Sequence, residues 1–150
     1  MNMKTSYREQ NNKEAFASFF LIGGNKMKIA EALDKINIFR PNQYSEKDKI
    51  GWLSNIDMSL YDAVVKQYEG AEEFKGYDET TDIHTTDLLV KEPYAEDIYM
   101  YYLAMQIDFY NAEMGKYNND ALMYNTAYTT WRNEYNRVHS FGSKDVYFKL

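Results

Sequence analysis

Asp82-x-His84-x-x-Asp87 sets an imidazole between two carboxylates, a set of donors that suits a divalent cation. The triplet sits in a polar stretch with no helical frame to fix its spacing, so a solvated loop is the expected reading. Glu92, Glu96, Asp97, Asp108 and Glu113 fall on or beside one predicted helix. Paired carboxylates can do general acid–base work, or hold two iron ions when Glu-x-x-His accompanies them. Here Asp97, Asp108 and Glu113 share no i, i+3 or i+4 pair, and Glu-x-x-His does not occur. The second histidine, His139, closes a predicted helix after Arg137, where a cation favours the helix dipole. Ser54 and Ser59 have no histidine and acid close in sequence, and Gly23-Gly24 lacks the spacing and the Lys-Ser/Thr pair of a phosphate loop. With no cysteine, thiol chemistry, disulfides and cysteine-held metals are excluded. No catalytic residue, metal ligand or cofactor site is therefore predicted, and the chain is not expected to be an enzyme.

The elements that would have to position any site read as helices. Ile29, Leu33 and Ile36 recur at helical spacing and predict a short helix over 28–37, broken by Phe39-Arg40-Pro41-Asn42. Ser45 is a good N-cap, with Glu46 and Asp48 behind it. Ile50, Leu53, Ile56, Leu60, Val64 and Tyr68 then predict a helix over 45–69, ended by Gly70. Residues 71–92 lose the period, are acidic, and predict a long loop in which Leu88-Leu89-Val90 could be a short extended piece. Pro93 suits a first helical turn. Ile98, Tyr102, Met105, Phe109 and Ala112 form the next stripe, and Tyr124, Ala127, Tyr128, Trp131, Tyr135 and Val138 the last. With Asn118-Asn119-Asp120 as a turn, these predict helices over 94–117 and 120–139; one kinked helix fits the same pattern. The fold class expected is all-α, a small bundle of about four helices with a long acidic loop between the second and third.

The 150 residues match one domain in size, and a 45% hydrophobic content can build its core. The 15 tyrosines suit helices that are half core and half interface. Net charge is −6, with residues 1–26 basic and the rest acidic, which disfavours tight binding of a nucleic-acid backbone. The tryptophans and tyrosines could stack on bases, but their helical core spacing points to core or protein contact. The apolar run 15–22 is short of the roughly 20 residues a membrane span needs, and its polar lead-in does not suit a signal peptide. Gly23-Gly24-Asn25-Lys26-Met27 can be encoded as a purine-rich ribosome-binding sequence before a start codon. Residues 1–26 are thus expected to be translated leader ahead of a natural start at Met27; a docking arm is the other reading. Residues 27–140 then form the domain and 141–150 an apolar tail.

The order Ile29…Leu33, Arg40-Pro41-Asn42-Gln43-Tyr44, Lys49-Ile50-x-Trp52-Leu53, Leu88-Leu89-Val90-x-Glu92-Pro93-Tyr94, Tyr102-Leu103-Ala104-Met105-Gln106-Ile107-Asp108, Glu113, Tyr117-Asn118-Asn119, Asn125-x-Ala127-Tyr128 and Tyr135-Asn136-Arg137-x-His139 carries a resemblance. Over about residues 28–140 the chain resembles short helical proteins encoded between the capsid and tail genes of tailed phages and prophages of Gram-positive bacteria. These are usually regarded as head–tail connector (adaptor) proteins.

The resemblance implies a structural subunit that self-associates into a ring at the phage neck. Portal and tail proteins would be its partners, and DNA would pass through without specific binding. It would reside in the host cytoplasm during assembly and in the virion afterwards, with no membrane and no cofactor. In such a ring the tyrosine-rich 94–135 helices are expected to make the intersubunit contacts, with Tyr99, Tyr110 and Trp131 as anchors. The 71–92 loop and the tail, with Tyr147 and Phe148, would contact the portal or tail. A capsid-associated or tail-completion protein and a small regulatory binding module are the alternatives.

Overall fold

The computed structural model describes residues 25–139; the tail residues Tyr147 and Phe148 and nearly all of the 1–26 segment lie outside the described residues. The first helix, α1 (Ile29–Phe39), buries Ile29, Ala32, Leu33 and Ile36, the three-and-four spacing of one helix face. It stops at Arg40, whose amide still reaches the Ile36 carbonyl at 2.8 Å, because Pro41 cannot continue it. Helix α2 (Glu46–Ala63) starts where Ser45 Oγ accepts the Asp48 amide at 3.1 Å. It buries Leu53, Ile56 and Leu60, tightens into a 3-10 turn at Val65–Gln67, and the chain leaves through Gly70 at φ 78°.

The expectation of an all-α fold is corrected by a small sheet. Strand β1 (Lys26–Lys28) pairs antiparallel with β2 (Asp87–Lys91), Lys26 opposite Lys91 and Lys28 opposite Asp87. Met27, Leu88 and Val90 place their side chains in the core, so the extended piece foreseen at 88–90 is half of a ladder whose other half precedes α1. Among the described residues the chain is still mostly helical, with four α-helices.

Helices α3 (Ala95–Tyr110) and α4 (Met114–Val138) correct the predicted boundaries. The chain turns at Asn111-Ala112-Glu113, not at Asn118-Asn119-Asp120. Ala112 takes φ 57°, and the Glu113 amide closes onto the Asp108 carbonyl at 2.9 Å. Asn118-Asn119-Asp120 runs on inside α4, because Asp120 is held there by Arg40 rather than capping a new helix.

Helix α3 is the hub, packing against α1, α2, α4 and β1. Helix α4 lies along α3 through a seam of rings. Tyr102 meets Tyr124, and Tyr128, Trp131 and Tyr135 follow at one-turn intervals until Tyr135 meets Tyr68. Among the described residues no helix is long and apolar enough to cross a membrane.

Candidate interaction surface

Two polar knots lie inside the fold. Asp57, in the middle of α2, is fully buried among apolar neighbours. Its Oδ1 accepts the Tyr99 hydroxyl at 2.6 Å, and its Oδ2 accepts the Tyr77 hydroxyl at 2.6 Å and the Leu89 amide at 3.0 Å. The Tyr99 hydroxyl in turn accepts the Val90 amide at 2.9 Å. One carboxylate thus fastens α2, α3, β2 and the loop before it. Burial pushes Asp57 up to about 6, against the downward pull of its three donors. The loop reaches this knot because Gly76, at φ 80°, lies on Ser54 Oγ, which accepts the Tyr77 amide at 2.9 Å. A Cβ at Gly76 would stand 2.5 Å from that oxygen.

The second knot joins α1, α3 and α4. The Arg40 guanidinium pairs with Asp108 through Nη1, and its Nη2 donates to Asp120 Oδ1 at 3.3 Å. Both carboxylates are buried, and Asp108 Oδ1 and Asp120 Oδ2 lack a hydrogen-bond partner. One cation thus stands against two acids in a buried place. Burial, and then the adjoining Asp108 carboxyl, push Asp120 upward while Arg40 pulls it down. Both knots hold elements in place.

The outside of the Arg40 knot is apolar. Ile38 and Phe39 end α1, Phe109 and Tyr110 end α3, and Met114, Leu122 and Met123 follow in the first part of α4. These seven are the large hydrophobic side chains left exposed among the described residues, and five of them, Ile38, Phe39, Phe109, Tyr110 and Met114, lie where α1 and α3 end and α4 begins. Exposure reaches 83% at Ile38, 58% at Tyr110 and 51% at Phe109. Rings order this end: Tyr110 stacks on Trp52 at 5.6 Å, Phe109 meets Tyr117, and Phe39 meets Tyr101 edge-on at 5.9 Å. Tyr44 donates to Asn111 Oδ1 at 2.7 Å, tying the α1–α2 linker to the α3–α4 corner. Scattered apolar residues are ordinary on a surface, whereas a cluster of this kind marks a contact site.

Of the anchors expected from sequence, Tyr110 lies in this cluster. Tyr99 and Trp131 do not: Tyr99 is 0% exposed and bound to Asp57, and Trp131 is 4% exposed in the α3–α4 seam. Their rings hold the fold and offer nothing to a neighbour, which corrects their assignment as contact residues. In the 71–92 region, Asp78 Oδ1 accepts the Thr80 amide at 2.8 Å, Asp82 Oδ1 accepts the His84 amide at 3.0 Å, and Asp87 pairs with Lys28 at 2.6 Å. Asp82 and Asp87 thus serve the backbone and a lysine rather than converging on His84. Among the described residues no group of three histidine or acidic side chains is placed to hold a metal ion.

Sequence reasoning missed Phe39, Met114 and Leu122 as surface residues, and Asp57, Asp108 and Asp120 as buried ones. The available clue to Asp57 was its position beside Ile56 within the Leu53–Leu60 core stripe. No family model matches the chain, and neither a curated protein nor a solved structure does.

Proposed function

We propose that this chain is a structural assembly subunit that docks on other proteins through the apolar end around Arg40. The resemblance over residues 28–140 supplies the setting: a ring at the neck of a tailed phage, joining portal and capsid to the tail. The observation that supports the docking role is the exposure of Ile38, Phe39, Phe109, Tyr110 and Met114 where α1 and α3 end and α4 begins, beside the Arg40–Asp108–Asp120 knot that ties these helices together. A rigid base under an apolar patch suits a docking surface, since little ordering is lost on contact. The acidic balance of the chain suits a DNA conduit, because it gives the phosphate backbone nothing to hold.

The test is co-assembly of the full chain with a portal protein of a tailed phage of Gram-positive bacteria, followed by size exclusion and negative-stain microscopy. An added ring on the portal particle is expected, together with loss of that ring for Phe109→Ser combined with Met114→Ser. Portal particles unchanged by the wild-type chain would overturn the neck assignment. An added ring that survives the double substitution would overturn the apolar end as the docking surface.

A further inference from the structure

The two ends of helix α4 lie far apart. It starts at the α3–α4 corner, where Phe109, Tyr110 and Met114 are each about half exposed. That corner is firm, with Tyr110 stacked on Trp52 and Phe109 against Tyr117. The helix ends at His139, whose ring stacks on Tyr135 at 3.7 Å and packs on Tyr68, so the point where the chain leaves is fixed. The 25 residues of α4 separate corner and exit by ~37 Å. Nothing large, apolar and exposed lies beside the exit along this helix: among the described residues the last such side chain of α4 is Met123.

The segment that follows turns apolar. Residues 140–150 lie outside the described residues, and their sequence sets Val146, Tyr147, Phe148 and Leu150 after the polar run Gly142-Ser143-Lys144-Asp145. This segment does not cover its own corner. Val146, seven residues past His139, reaches at most ~25 Å from it, and Phe148, nine residues past it, ~32 Å. Both fall short of Met114. The corner is also too small for a face-to-face dimer. Three large side chains, half exposed, leave roughly 300 Å², against about 800 Å² per partner in a stable complex. A short apolar segment is an occupant of that size.

We infer that the 140–150 segment of one copy docks on the Phe109–Tyr110–Met114 corner of a second copy of this chain, with Val146 and Phe148 as the inserted side chains. The inference rests on the assembly reading and names a partner for the same surface. Segment and corner are two different patches, so the contact passes from copy to copy. One such contact is weak, and closure of a ring strengthens it by raising the effective concentration of the last partner.

Sedimentation velocity on the full chain, from micromolar to millimolar protein, tests it. Reversible association is expected, and sodium chloride should not weaken it, because an apolar contact is not screened. Val146→Ser combined with Phe148→Ser should weaken it at least tenfold. Phe109→Ser combined with Met114→Ser should do the same, each pair with unchanged circular dichroism. Mixing the two variants should restore a one-to-one pair and nothing larger, because one keeps the corner and the other keeps the segment. The segment variant alters no described residue, so it decides by itself if the corner variant misfolds. A wild-type chain that stays monomeric throughout overturns the inference. So does association that survives the segment variant, which would mean that another surface joins the copies. So does a segment variant that melts lower as a monomer, which would mean that the segment lies on its own chain. The neck role is read separately by portal co-assembly. Self-association without an added ring keeps this inference and sinks the neck role; an added ring built from the segment variant does the reverse.

Discussion

The Tyr99 hydroxyl stands 2.6 Å from Asp57 Oδ1 while accepting the Val90 amide at 2.9 Å, so a single side chain satisfies a buried acid and a buried strand. Removing it with Tyr99→Phe leaves the ring in place but strands a carboxylate oxygen and a peptide N–H in the core. The expected loss is about 3 kcal/mol, measured by urea denaturation. A loss near zero would mean that water replaces the hydroxyl.

The same acid sets a pH dependence. Asp57 titrates at about 6 in the folded chain and at about 3.9 when unfolded. The folded state therefore holds this proton more tightly. The stability it contributes is complete below about pH 4 and is lost as the pH rises through about 6, a fall of about 3 kcal/mol. Asp120, also raised, acts with the same sign. Asp78 and Glu134 are lowered and act oppositely, losing their contribution only as the pH drops through the carboxylate range. Both sit on the surface, so their effect is small. Denaturation midpoints should decline from pH 5 to pH 8, and Asp57→Asn should flatten that decline. A midpoint that rises over this interval would contradict the assignment.

Arg40 is the one cation facing Asp108 and Asp120 in their buried knot. Arg40→Met should cost about 3–5 kcal/mol at pH 8, since two acids then confront each other without a counter-charge. At pH 5 the cost should be visibly smaller, because protonation takes over part of the neutralisation. Thermal melts of both proteins at the two pH values check this, and equal losses at both would contradict the upward shift of Asp120.

Ala112 occupies the left-handed region at φ 57° in the α3–α4 corner. A Cβ there is strained, and glycine is the residue such corners favour. Ala112→Gly should raise stability by about 0.5–1 kcal/mol, again read from denaturation midpoints; a decrease of that size would show that the corner is relaxed as it stands.

How far the sequence reaches is clearest element by element. In α2 the Leu53, Ile56, Leu60 stripe and the Ser45 cap were both visible, because one face is apolar and the rest polar. In α3 the period misleads. Apolar residues occur almost all round it, so the stripe Ile98, Tyr102, Met105, Phe109 looks as good as the buried set that includes Tyr99, Leu103 and Ile107. That rotation error is why Tyr99 passed for a contact residue and Phe109 for core. The sheet was half visible: 88–90 reads as extended, but its partner is three residues long and lies far upstream. The interaction surface depends on where helix ends meet, which no local pattern records.

That distance between β1 and β2 also bears on synthesis. Lys28 leaves the ribosome about sixty residues before its partner Asp87, an interval of roughly 3–12 s at typical elongation rates. Throughout it the Met27 side chain has no sheet to enter and α1 has no α3 to rest on. The hub helix, emerging after both, is what converts the earlier segments into a folded domain.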